Sequence, residues 1–184
     1  MRKIIFILFC MLVCSLSSHA QRYVTKNGFI KFYSDAPLEK IEAANRQVNA
    51  AIDIRTGDFV FKVLMKSFVF PKALMQEHFN ENYIESDKFP EAKFIGKVTN
   101  LAEIDFSKDG IYNALVVGNL TIHGETKEIQ AKGTFEIKQD KIDGNAKFNI
   151  VVADYKIKIP NTVVNNIAKT VEITVDITMD KLNK

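Results

Sequence analysis

His78 and His123 are the residues from which any catalytic or metal-binding reading of this sequence has to start. In His78-Phe79-Asn80-Glu81 a carboxylate follows three residues after the imidazole. On a helix that spacing places both groups on one side, as half of a metal site. A zinc site takes three or four protein ligands, and two histidines do not supply them. His78 also shares a helical face with Leu74, Met75 and Phe79, where an imidazole is ordinarily satisfied by a carbonyl. His123 stands just before Gly124, where the chain turns, and histidine is enriched among residues that tolerate positive φ. The carboxylates Glu77, Glu81, Glu85 and Asp87 read as the solvated side of the stretch that carries His78. There is no Gly-x-Ser-x-Gly elbow, no His-Glu-x-x-His and no Gly-rich phosphate loop. The expectation is a protein that is not an enzyme and uses no metal or cofactor.

The two cysteines, Cys10 and Cys14, both lie in an N-terminal segment that reads as an address. Arg2 and Lys3 precede an apolar run over 4–16, and Ser18-His19-Ala20 offers a small-x-small cleavage pattern. Residues 1–20 are therefore expected to be a signal peptide, with Gln21 as the new N-terminus. The apolar run is too short to span a bilayer, which takes about 20 residues, so no stable membrane insertion is expected. Val13 is bulkier than a lipidation signal before Cys14 usually allows. The expected location is the periplasm or the exterior. Removing 20 of the 184 residues leaves 164, enough for one domain with its own core, 21–184. That chain has no cysteine and must be stable without disulfides. Losing Arg2 and Lys3 lowers the formal charge from +3 to +1, which gives no basic face for nucleic acid. The oligomeric state stays open, a dimer included.

The elements that would position these side chains are mostly strands. Asn27-Gly28 leads into a strand in which Ile30, Phe32 and Ser34 share a face. Asp35 as a cap, Pro37 in a first turn and Leu38 with Ile41 on one face predict a short helix near 36–43. Strands are expected over 48–54, 58–70, 92–101, 111–122, 126–138, 142–150 and 171–180, with Asp109-Gly110 as a hairpin signal. The last is the clearest, with Val171, Ile173, Val175, Ile177 and Met179 alternating against polar residues. The stretch 71–94 breaks this pattern and predicts a lid helix near 72–82. About eight long strands joined by tight turns suit an antiparallel up-and-down barrel, because closure removes aggregation-prone edges; a β-sandwich fits the same spacing. Gly96, Gly118, Ala131, Gly133, Gly144 and Ala146 interrupt the inward faces. They let strands bend, or they leave a cavity beside large residues, and a barrel of this size accommodates either.

The run from His78 to Phe94, ending Lys88-Phe89-Pro90-Glu91-Ala92-Lys93-Phe94, resembles the His-to-Phe-Pro-x-x-x-Phe signature of the YceI-like family. Gly118-Asn119-Leu120-Thr121-Ile122-His123-Gly124-Glu125-Thr126-Lys127 is similar to that family's second marker, and Ala153-Asp154-Tyr155-Lys156-Ile157 extends the likeness. The resemblance implies a lipocalin-like barrel with a helical lid, exported, and holding an isoprenoid or fatty-acid-like lipid. On that reading Phe32, Phe61, Met65, Phe94, Phe135, Phe148, Val175 and Ile177 line the interior, and Leu74, Met75, His78 and Phe79 form the lid's inner side. Two departures are present: Gln76 stands where an Asp is common, and the first hairpin looks shortened, implying a smaller cavity, a different ligand or none. The rival is an envelope structural or interaction protein with a filled barrel and no ligand.

Overall fold

A computed structural model describes residues 21–182; the expected signal peptide lies outside the described residues. The chain forms a closed barrel of eight antiparallel strands, each paired with its sequence neighbours and the first with the last. They are β1 (Arg22–Asp35), β2 (Lys40–Asp53), β3 (Asp58–Leu64), β4 (Glu91–Val98), β5 (Gly110–Ile122), β6 (Glu125–Lys138), β7 (Lys141–Val151) and β8 (Thr170–Lys181). The register follows the alternation. Ile142, Gly144 and Ala146 of β7 stand opposite Met179, Ile177 and Val175 of β8, all on the inner face. Closure leaves no free edge along the sheet, which suits a barrel with no cysteine among its described residues.

The helix expected near 36–43 does not form. Residues 36–39 make a tight turn closed by Ala36 N–H donating to Glu39 O at 3.1 Å, and β2 begins at Lys40. Pro37 suits a turn as well as a first helical turn. Pairing decided between them: Ala43 faces Phe32 and Ile41 faces Ser34 across the hairpin. Leu38, read as part of a helical face, is 72% exposed. The first hairpin is accordingly long, with two 14-residue strands, not shortened. Gly28 bends β1 at a register shift and packs so close to Ile177 that a Cβ would lie 2.6 Å from its Cγ2.

Asp109-Gly110 also plays a different part. It ends a link over 99–109 that contains a short 3₁₀ turn (Leu101–Glu103), and the Asp109 carboxylate accepts the Gln139 N–H of the β6–β7 turn at 2.9 Å. A two-residue hairpin does occur at His123-Gly124, with φ of 51° and 77°, the doubly left-handed geometry that matches strand twist.

Between β3 and β4 the chain crosses one end of the barrel over 65–90. The expected strand stops at Leu64, and Met65–Ser67 form a 3₁₀ turn. Val69 then exchanges two backbone hydrogen bonds with Ala44, at 3.2 and 2.8 Å. Helix α1 (Ala73–His78) follows and widens into a π turn, Phe79–Tyr83, where the lid helix was expected. The crossing closes on itself at its base, Met65 N–H donating to Pro90 O at 2.9 Å.

The interior has two parts. At the end of the chain termini, Ile52, Ile137, Ile142, Ile177 and Met179 pack with Phe59 and Phe135 into a filled core. At the other end, smaller clusters gather under the crossing and under residues 152–169.

Candidate functional site

Two alanines and the height of a few rings decide where the barrel is empty. Phe94 turns its ring over the paired Gly96 and Gly118, where a Cβ on either would fall within 2.8 Å of its Cζ. Gly144 likewise makes room for the Phe135 ring. These glycines are filled by neighbouring side chains. Ala131 and Ala146 are not, and above them lies an apolar cavity of about 350 Å³.

Phe32, Phe61, Met65, Phe94, Phe148 and Val175 stand on the wall of this cavity. Phe135 and Ile177 do not: they are buried in the filled half, beneath the cavity floor. Alternation assigns a residue to the inner face but says nothing of its height along the axis, and these two sit too low.

The crossing roofs the cavity through Met75 and Phe79, one helical turn apart. Phe79 stacks on Phe32 with centroids 5.5 Å apart and touches Phe70 and Phe68 at 5.0 and 5.7 Å. Offset and edge-on aromatic contacts of this kind contribute beyond the area they bury. His78 borders the cavity from an exposed position. Leu74, expected on the lid's inner side, is 61% exposed and off the wall. With only six residues, α1 points Met75 inward, and Leu74 falls about 100° away around the axis. Glu77 and Glu81 face water as expected.

A second cover was not apparent in the sequence. Residues 152–169, which link β7 to β8, place Ile157, Ile159, Val163 and Ile167 on the cavity wall. The signal was the short alternation of Ile157 and Ile159 with Lys156 and Lys158.

Polar groups at the mouth are largely engaged with one another. Ser34 Oγ accepts the Ala168 N–H at 2.9 Å, and Glu39 pairs with Lys72 at 3.5 Å and with the Asn166 amide at 3.4 Å. Burial pushes the Tyr83 phenol up. Among the described residues no cluster of three metal-capable side chains occurs.

The two covers meet at His123. Its Nδ1 lies 3.0 Å from Tyr155 O, its Nε2 2.8 Å from Glu85 Oε2, and its ring stands edge-on to Phe89 at 4.6 Å. The His123 hydrogen bond is the main cause that holds the Glu85 carboxyl below the usual carboxylate range, with Lys88 assisting. Lys156 reaches back to Glu125 at 2.6 Å. What this arrangement offers chemically is a lidded, apolar-walled space, with its ionic groups on the rim.

No curated protein matches the chain by sequence. Among solved structures, a polyisoprenoid binding domain from Saccharophagus degradans implicated in plant cell wall breakdown superposes with a TM-score of 0.76 at 14% identity, over 89% of this chain and all of that one. Burkholderia cenocepacia BcnA gives 0.65 at 12% identity, covering 82% and 95% of the two chains. A Campylobacter jejuni YCEI protein gives 0.56 at 13%, covering 76% and 84%. These likenesses speak for the fold. The YceI-like domain family model matches residues 23–179, all eight strands and both covers, and the chain belongs to the YceI-like family.

Proposed function

We propose that this protein is an exported, non-catalytic barrel that holds one apolar, chain-like lipid, isoprenoid or fatty-acid-like, beneath its two covers. The observation that carries the reading is the apolar cavity of about 350 Å³, near the lower end of the ~300–1,000 Å³ typical of small-molecule sites. A chain drawn from water into such walls gains roughly 0.8 kcal/mol per CH₂, so the reading requires no charged anchor. The structural neighbour named as a polyisoprenoid binding domain supports it. The filled-barrel alternative calls for packing throughout, whereas here an apolar cavity interrupts the packing above the filled core.

Native mass spectrometry of the exported protein, with organic extraction of whatever co-purifies, tests the ligand. An adduct of lipid mass released by solvent is expected; a ligand-free mass that stays ligand-free after incubation with farnesol or oleate sinks the reading. Export is tested separately, by cell fractionation with N-terminal sequencing: Gln21 as the first residue is expected, and an intact Met1 in the cytoplasm refutes it.

A further inference from the structure

Four described residues other than glycine adopt left-handed backbone: Glu85, His123, Gln139 and Lys156. Gln139 belongs to the β6–β7 turn at the filled end. The other three come from separate segments and meet at one junction on the rim. Conformations of this kind persist where the surroundings over-determine them, and they concentrate at clamps and switches.

The junction is built on His123. Tyr155 O, 3.0 Å from Nδ1, is a carbonyl oxygen and only accepts; Glu85 Oε2, 2.8 Å from Nε2, belongs to a carboxylate and only accepts when ionised. A neutral imidazole carries one N–H and cannot donate to both. Both hydrogen bonds exist together only when the ring bears two protons. Gly124 adds a tight fit, since a Cβ there would lie 2.7 Å from the Phe89 ring.

We infer that His123 is a proton-controlled clasp on the two covers. As an imidazolium it ties the crossing, through Glu85, and the 152–169 segment, through Tyr155, to the β5–β6 turn. Losing one proton releases one of them and speeds exchange of the cavity's contents. The inference rests on the lipid-binding reading for what is exchanged, and on geometry alone for the clasp.

The charged and titratable groups around the ring come from all three segments. The crossing contributes Glu85 and Lys88, 3.7 Å apart; the turn contributes Glu125; the second cover contributes Asp154, Tyr155 and Lys156, the last bridged to Glu125. Carboxylates and lysines keep their charge across neutral pH, and burial pushes the Tyr155 phenol up to about 12. Imidazole is the side-chain type that changes charge in that window.

Hydrogen–deuterium exchange of the processed chain, compared between about pH 6 and about pH 8.5 after correction for intrinsic rates, reads the clasp without any ligand. In the wild type, residues 80–90 or 152–160 are expected to lose protection by roughly fivefold or more at the higher pH, while β6–β8 keep theirs. His123→Gln, which never carries two ring protons, is expected to be loose at both values. Lys156→Ala, which breaks only the pair with Glu125, is expected to retain the pH response. Equal protection at the two pH values in the wild type overturns the inference, as does His123→Gln protected like the wild type at the lower pH. If His123→Gln loses protection in β6–β8 as well, Glu85→Gln decides: its carboxamide can donate to Nε2 while Nδ1–H donates to Tyr155 O, so the clasp predicts protection retained at both pH values, and a wild-type-like loss at the higher pH overturns it.

Release of N-phenyl-1-naphthylamine, an uncharged fluorescent probe, is expected to be faster at the higher pH in the wild type and independent of pH in His123→Gln. A probe that never binds counts against the lipid reading and leaves the exchange result to judge the clasp. A probe that binds while exchange ignores pH removes the clasp and leaves the lipid reading standing.

Discussion

Tyr155 couples a backbone role to a buried side chain. Its carbonyl accepts from His123 while its ring is buried, and burial, helped by Asp154, pushes the phenol up to about 12. An unfolded tyrosine titrates near 10. Between about 10 and 12 the unfolded chain therefore releases a proton that the folded chain keeps, and stability falls as pH rises through that window. Urea unfolding followed from pH 9 to 11.5 is expected to show this fall, and Tyr155→Phe to remove its tyrosine component while changing little at neutral pH. At Gly118 a Cβ would meet Gly96 Cα at 2.4 Å and Ile95 O at 2.5 Å. Gly118→Ala is expected to cost about 1–3 kcal/mol in the same measurement. His123 was legible as a turn residue because its neighbour is glycine. Its hydrogen bonds were not, since Glu85 and Tyr155 are 38 and 32 residues away and lie on separate connections of the barrel.

At the scale of elements, strands were legible where one face is buried and one wet, as in β6, β7 and β8. Local signals failed where two backbones compete for the same residues. Residues 36–43 carry the marks of a helix start, yet the strand opposite offered Ile41 and Ala43 inner-face partners, and tertiary context overrides a weak propensity. The lid helix was visible because 71–94 does not alternate. Which of its side chains face inward was half visible, as the inward Met75 and Phe79 and the outward Leu74 show. Phe79→Ala removes the ring that joins Phe32, Phe68 and Phe70. Limited proteolysis is expected to cut within 71–90 faster in this variant while strand protection in β6–β8 holds. Leu74→Ser, at an exposed site, is expected to leave cutting rate and stability unchanged within about 0.5 kcal/mol.

For the molecule as a whole, the filled core and the cavity occupy different halves of one barrel. Ile142 is fully buried in the filled half; Ile142→Ala is expected to cost about 2–5 kcal/mol and, on the proposed lipid-binding reading, to leave the amount of extracted lipid unchanged. Ala146 faces the cavity from β7; Ala146→Leu is expected to reduce that amount sharply at little cost in stability. Unfolding curves and extracted lipid per protein, measured on both variants, check the separation. The sequence marked both positions as inward. It held no sign of the boundary between them, because that boundary is set by ring heights such as those of Phe94 and Phe135.

The hydrogen bond between Met65 and Pro90 brings the two ends of the crossing together at 2.9 Å, with β3 and β4 already zipped beneath it from Asp58–Lys97 to Leu64–Glu91. The crossing is thus a cassette whose two ends coincide, with its middle tied to β2 through Val69 and to the β5–β6 turn through Glu85. Its length and sequence can drift without shifting the register of a single strand, since lengthening a closed loop costs only the logarithm of its size. Grafting the corresponding segment of another family member between Met65 and Pro90 is expected to change the roof of the cavity and to keep the register of β3 against β4.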